Sequence, residues 1–387
     1  MRFMVVNQPA RADIFGCEFD LKPINSPGFE PKNVLVADNG SAFELLKRHP
    51  SVLMEASFDM AALHNFPSKP VTISEIQPGS TVLILRAGGI GDHVMLLPAL
   101  AAFKLSLPPD VSVWLSTQKE KHPIFYSNPA IDKLLPLPLG LDNLLKADFI
   151  IDFSGSIDDE DFASLNMTDY YMKVLGVDKK ISFDKRPSIH TNPKSAVKIR
   201  SAANDLKEKA FSRPLVILQW KSSNPLRDLP PEKLLCLTDA FPEIQFITPI
   251  SLRRDTSECN FTQRYKNKII DISKCIESLE DYIALFDICD GVVSTDTAAY
   301  HLAQAFKKPS LSLFGPISSD LRLRYYHKAY AIDSDYTGQI CQAPCGLHKV
   351  KNRCPEAGTL NSAFSPCLLS IDQAALFATF KTMCCHF

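Results

Sequence analysis

At 387 residues the chain is longer than one ordinary hydrophobic core, so two or three domains are expected. Apolar residues make up 45% and charged residues 22%, values typical of a globular protein, and a formal net charge of −1 gives no argument for nucleic acid or an anionic membrane surface. The opening MRFMVVNQPARAD lacks a long apolar run, and no stretch approaches a membrane span, so a cytoplasmic chain without a nucleic-acid partner is expected.

Residues 1–78 read as a small mixed accessory domain. Strands are expected at Phe3–Val6, Asn33–Ala37 and Val71–Ile73, and a helix at Ser41–Arg48 after the turn signal Asp38-Asn39-Gly40. Its job is open: partner docking, oligomer building or cover for a sheet edge. From residue 79 strands alternate with helices. Val82–Leu85, Val111–Ser116, Lys133–Leu137 and Asp148–Phe153 read as strands of a parallel sheet, with Pro136 restricting the third to an edge. Met167–Leu175 reads as a helix. A polar linker at 191–213, with a helix at Ser201–Lys209, leads into a second α/β pattern over 214–335. Strands there are Leu215–Gln219, Ile244–Thr248, Ile269–Ile272, Gly291–Val293 and Ser310–Phe314; helices are Glu232–Ala240, Ser278–Ile288 and Thr297–Phe306. The expected fold is thus α/β, with two doubly wound domains at 79–190 and 214–335 and a tail at 336–387 that ends in a helix.

Two strand-to-helix turns carry the chemistry. In Val82–Pro98, VLILRAGGIGDHVMLLP, a buried strand runs into Gly88, Gly89 and Gly91, and Asp92 stands where a helix N-cap belongs. Asp92 either caps the helix or is a catalytic carboxylate aimed into a binding site. In the second turn, Ser294-Thr295-Asp296-Thr297-Ala298-Ala299-Tyr300-His301, the strand gives way at once to a helix whose free N–H groups suit a phosphate; the plainer reading makes Asp296 an N-cap. Gln219-Trp220-Lys221-Ser222-Ser223 and Arg227 follow the first strand of this second pattern. Finally, Cys341, Cys345, Cys354 and Cys367 cluster among eleven cysteines, which in a reducing compartment points to a tetrahedral thiolate site for one zinc or iron ion. Such a site has no open position, so that metal would be structural.

Together, RAGGIGDHVMLLPAL and VVSTDTAAYHLAQAFKKPSLSLFGP resemble the heptosyltransferases, glycosyltransferases that use ADP-heptose. The resemblance runs from about residue 80 to the C-terminus and leaves the first 78 residues unexplained. It implies a GT-B architecture of two Rossmann-like domains facing a cleft, with acceptor on the first and donor on the second, and an inverting reaction without a divalent metal at the donor. Residue by residue it implies Asp92 as general base within the acceptor loop Gly88, Gly89 and Gly91. Asp296, Thr297 and Ala298 would be the donor turn, in which Ala298 replaces the family's usual glycine, and His301 matches the histidine one helical turn on. Ser222 and Ser223 would meet the phosphates, and Arg227, or Lys221 beside it, would be the cation offsetting the departing diphosphate. A comparable cysteine cluster binds iron in the autotransporter heptosyltransferases. The implied acceptor is therefore an adhesin hydroxyl or the lipid-linked core of lipopolysaccharide, the latter met at the inner membrane. Oligomeric state is open. Two other readings share the scaffold: a non-catalytic sugar-nucleotide-binding or assembly protein, and an epimerase-like enzyme acting on the donor alone.

Overall fold

The computed structural model describes every residue except 7–9, 15–16, 24–32, 57–66, 70–71, 157–158, 179–182, 208–212, 252–267 and 347–353. It divides into two compact units, Met1–Lys185 and Arg186–Phe387.

The first unit holds strands β1 (Arg2–Val6), β2 (Ala10–Ile14), β3 (Cys17–Leu21), β4 (Leu35–Ala37), β5 (Leu53–Ala56), β6 (Thr81–Leu85), β7 (Ser112–Gln118), β8 (Lys133–Leu137), β9 (Leu139–Gly140) and β10 (Phe149–Asp152). The parallel sheet runs β10-β6-β7-β8. Val82, Leu83, Ile84 and Leu85 of β6 are all buried, as a strand covered on both faces requires. Because the chain moves outward from β6 to β8 and then returns to β10 on the other flank, the strand order reverses beside β6. Ligands of open α/β sheets gather outside the carboxyl ends of the strands at such a reversal. Pro136 lies on β8, an edge strand, where its missing N–H costs nothing.

Residues 1–78 do not pack as a separate body. Their antiparallel sheet, β5-β1-β4-β9, takes its last strand from residues 139–140, and Phe3, Val5, Val34 and Val36 share one core with Leu83, Leu85, Leu135 and Ile150. A β2–β3 hairpin and β5 were not anticipated from sequence. The strand expected at Val71–Ile73 is not formed: Ile73–Glu75 is a turn of 3-10 helix, and Val71 lies outside the described residues. The helix Asn39–Arg48 begins two residues early because the Asp38 carboxylate accepts the Gly40 and Ser41 N–H groups at 3.0 and 3.1 Å.

The second unit contains one six-stranded parallel sheet in the order β13-β12-β11-β14-β15-β16. Its strands are β11 (Leu215–Gln219), β12 (Gln245–Thr248), β13 (Ile269–Asp271), β14 (Gly291–Thr295), β15 (Ser310–Phe314) and β16 (Ala329–Asp333). The order reverses between β11 and β14. The expected linker helix starts earlier than its polar part suggested and spans Pro193–Lys207; the continuation expected at 208–209 lies outside the described residues. The C-terminal helix Gln373–Cys384 joins the sheet's own core: Leu376, Phe380 and Met383 are buried with Leu234 and Phe246, and the Phe380 ring meets Phe241 at 4.8 Å. Two consecutive parallel sheets, each with a reversal point, give the α/β, Rossmann-like character expected from sequence.

Candidate functional site

The glycine turn after β6 folds differently from expectation in one respect. The helix Ile90–Ser106 starts with Gly89 at its N-cap, so Asp92 stands at the third helical position. Glycine has no side chain to cap with, and Asp92 reaches back instead: its Oδ2 accepts the Gly89 N–H at 3.0 Å, one half of a capping box. The same oxygen lies 3.4 Å from Arg86 Nη2, and 33% of the Asp92 side chain remains exposed. Buried Arg86 donates from Nε and Nη2 to the Tyr171 hydroxyl at 3.2 and 2.9 Å. Gly88 adopts φ +143°, and a Cβ there would stand 2.8 Å from Asp92 Oδ2, so both backbone and space demand glycine. Gly91 lies in the first helical turn.

Beneath Asp92 is a group that sequence reasoning passed over. His93 is fully buried, its Nδ1 2.7 Å from the Gly89 carbonyl and its Nε2 2.6 Å from Thr117 Oγ1. Burial, reinforced by the Arg86 charge, lowers its pKa to about 4, so it is neutral at physiological pH. Carbonyls face both ring nitrogens, Gly89 at 2.7 Å from Nδ1 and Arg86 at 3.3 Å from Nε2, and the shorter contact together with the Thr117 hydroxyl at Nε2 favours the proton on Nδ1. A cavity of about 520 Å³ opens beside this turn, lined by Arg86, Gly88, Gln118, Glu120 and Ser154 and by Asp38, Phe43 and Glu44 of the N-terminal segment. Gly88 and Ser154 follow β6 and β10, the two strands flanking the reversal point.

The second unit assembles its candidates after β11 and β14, again at the reversal. Thr297, not Asp296, caps the helix Ala298–Ala305, its Oγ1 accepting the Ala299 N–H at 3.1 Å. That leaves the Asp296 carboxylate to side chains. Its Oδ2 meets Arg227 Nη1 at 3.1 Å, and its Oδ1 accepts the Tyr300 hydroxyl at 2.8 Å. Burial alone would raise this carboxyl; the guanidinium groups of Arg227 and Arg322, with the Tyr300 hydrogen bond, outweigh it and hold the pKa at about 2. Arg227 Nη2 also donates to Ser223 Oγ at 3.2 Å, and the Thr295 hydroxyl donates to the Arg227 carbonyl. Arg227, Ser223, Asp296 and Tyr300 therefore form one network. Ser222 spends its hydroxyl on the loop, donating to the Asn224 carbonyl at 2.6 Å, while its N–H goes to Asp228 at 2.7 Å. Lys221 shares that loop. Ala298 opens the helix, and His301 turns towards the Tyr326 hydroxyl, 2.7 Å from its Nδ1. Tyr300 and Arg322 were not singled out from sequence: Arg322 comes near Asp296 only through folding, while the i, i+4 spacing of Asp296 and Tyr300 was a local signal that could have found it.

The four cysteines draw near one another without reaching ligand spacing. Burial and then the neighbouring Cys345 thiol raise Cys341 to about 11; burial, followed by Cys345, Cys354 and Cys341, raises Cys367 to about 12. Among the described residues no three His, Cys, Asp or Glu side chains stand close enough to share a metal ion. The donor set nevertheless suits a thiophilic cation. Glu356 braces the cluster: it accepts the Gln339 and Ile340 N–H groups at 2.8 and 2.9 Å and the Tyr336 hydroxyl at 3.2 Å, tying the Cys341 segment to the helix Pro355–Thr359 that follows Cys354. The Cys367 segment supports the second-unit network. Ser365 Oγ donates to the Leu226 carbonyl at 2.8 Å, and a Cβ on Gly315 would meet Cys367 Sγ at 2.6 Å.

Residues 275–350, which span the Asp296 turn and Phe314-Gly315-Pro316, match the model of glycosyltransferase family 9 (heptosyltransferase). The chain resembles the ADP-heptose heptosyltransferases. Solved structures place it in the same fold. The family 9 glycosyl transferase from Veillonella parvula DSM 2008 is 15% identical with a TM-score of 0.57, over 79% of this chain and 97% of that one. ADP-heptose lps heptosyltransferase II of E. coli is 12% identical with a TM-score of 0.57, over 78% and 98%. The iron-containing dodecameric glycosyltransferase TibC from enterotoxigenic E. coli H10407 is 11% identical with a TM-score of 0.55, over 99% and 91%. That last likeness takes in nearly the whole chain, N-terminal sheet included. No curated protein matches the sequence. No described helix is long and apolar enough to cross a membrane.

Proposed function

We propose that the protein is an inverting glycosyltransferase that moves heptose from ADP-heptose to a hydroxyl acceptor. The observation carrying this reading is the Arg227–Asp296–Tyr300 network at the reversal point of the second sheet, of which Asp296 and Tyr300 lie inside the segment that matches the heptosyltransferase family. In this reading the acceptor oxygen attacks the anomeric carbon as the bond from that carbon to the diphosphate breaks. The acceptor proton passes to Asp92, and ADP leaves with its charge met by Arg227, Ser223 and the first N–H groups of the helix Ala298–Ala305. Asp296 orients Arg227, and the donor needs no metal ion. Lys221, His301 and the Ala298 backbone complete the donor surroundings.

The cavity beside the glycine turn favours a protein acceptor. Asp38, Glu44 and Glu120 line it against the single guanidinium of Arg86, already paired with Asp92. A negative lining repels an anionic core saccharide and tolerates a neutral peptide hydroxyl, with exposed Phe43 as an apolar contact. The four cysteines would hold one structural metal ion that stiffens the segments behind Arg227. ADP release from ADP-heptose, measured with a hydroxyl-bearing adhesin segment and with core oligosaccharide, tests the reading. Release stimulated by the protein supports it, release stimulated only by the saccharide reverses the acceptor choice, and release without acceptor shows a donor-only enzyme.

A further inference from the structure

Arg322 is an anomaly of the second unit. It lies in the short helix Asp320–Leu323, after the carboxyl end of β15, on the same edge of the sheet as Arg227 and Asp296. The preceding turn is pinned by Asp333, whose Oδ1 and Oδ2 accept the Ser319 N–H at 2.8 Å and hydroxyl at 2.5 Å. Leu321 and Leu323 pack with Tyr300 and Phe314, which brings the turn against the residue that bonds Asp296. Arg322 is only 8% exposed. Yet among the described residues its guanidinium has one hydrogen-bond partner, the Leu321 carbonyl at 3.2 Å from Nη1, and no carboxylate within ion-pair distance. A guanidinium offers five donors and is costly to bury without an anion.

Asp296 cannot supply that anion. Its Oδ2 is engaged by Arg227 and its Oδ1 by Tyr300, so one carboxylate faces two guanidinium groups and a positive charge is left over at the reversal point. The fields of both arginines reach Asp296, and the field of Arg322 also reaches the buried Tyr300 and Tyr326 hydroxyls. Planar N–H forks of this kind match phosphate oxygens. We propose that Arg322 is a second diphosphate-binding residue, gripping the nucleotide's phosphates together with Arg227. The inference rests on the donor reading above and adds to it a residue that neither turn motif contains.

The test is calorimetric titration of the full chain with ADP and with adenosine at fixed ionic strength, for the parent protein, Arg322→Met and Arg322→Lys. The expected result is ADP binding weakened about ten- to a hundredfold in Arg322→Met, partly restored in Arg322→Lys, with adenosine binding unchanged. The ligand-free Tm of Arg322→Met should hold, since the substitution breaks no ion pair among the described residues. ADP affinity within about twofold of the parent, or equal losses for ADP and adenosine, would overturn the inference and leave Arg322 a structural counter-charge. Should Arg322→Met not fold, Arg322→Lys decides: selective loss of ADP binding supports the proposal and unchanged ADP binding refutes it. A parent protein that binds no ADP would remove the donor reading and this inference together, whereas normal ADP binding insensitive to Arg322 would remove the inference alone.

Discussion

Asp296 and His93 show how single buried groups set the chemistry around them. Asp296 keeps its charge because two guanidinium groups outweigh the cost of burial, so its partner Arg227 is fixed in place. Arg227→Met should leave a buried carboxylate short of its main partner and cost roughly 3 kcal/mol in denaturant unfolding. ADP affinity should fall with it, and Arg227→Lys should recover stability better than affinity, because an ammonium lacks the fork that meets Ser223 and Asp296 together. His93 behaves in the opposite sense. Its folded pKa of about 4 lies below its ordinary 6.5, so the unfolded chain binds the proton first as pH falls. Its stabilising contribution is complete above pH 6.5 and is lost between there and about 4, at up to roughly 1.4 kcal/mol per pH unit. Melting temperature followed from pH 7 to 4.5 should drop more steeply in the parent than in His93→Gln. Parallel curves would contradict this account of His93.

The elements that matter most are turns whose backbone leaves little freedom. Gly88→Ala would set a methyl against Asp92 Oδ2 at φ +143°, at a cost on the order of 1–3 kcal/mol. It should depress turnover by displacing Asp92 while ADP affinity, which the proposed donor reading assigns to the second unit, stays unchanged. Equal damage to both would show that the glycine turn does not act through Asp92. The C-terminal cysteine segment should behave as a buttress. Metal analysis is expected to find about one thiolate-bound ion per chain in a tetrahedral Cys₄ site. Chelation should then lower Tm and weaken ADP binding through the Ser365–Leu226 and Gly315–Cys367 contacts. Metal-free protein with full ADP affinity would separate the cysteines from the donor site.

At the scale of the whole molecule, what was legible in the sequence was local. Both strand-to-helix turns announce themselves through a buried apolar run, small residues and a polar cap within about a dozen positions, and the two parallel sheets follow from repeated runs of that kind. Helix starts were less legible: Asp92 and Asp296 looked like N-caps, but Gly89 and Thr297 took those positions, leaving Asp92 to accept the Gly89 N–H from the third helical position and Asp296 to side-chain contacts. Two strands of the N-terminal sheet were legible, at Phe3–Val6 and Asn33–Ala37, but its pairing was not, for a different reason. Its strand β4 pairs with residues 139–140, about a hundred positions away, and strands of two to five residues carry no periodicity. Arg322 was missed likewise, since only the fold brings it near Asp296, whereas Tyr300, one helical turn after Asp296, was within reach of local spacing.

The central claim, that Asp92 deprotonates an acceptor for transfer from ADP-heptose, is tested most directly by comparing the parent with Asp92→Asn in acceptor-dependent ADP release and in ADP-heptose binding. The account predicts release lowered by about 10²–10⁴-fold with donor affinity unchanged. Release within a few-fold of the parent would contradict it and leave Asp92 a helix-turn residue alone.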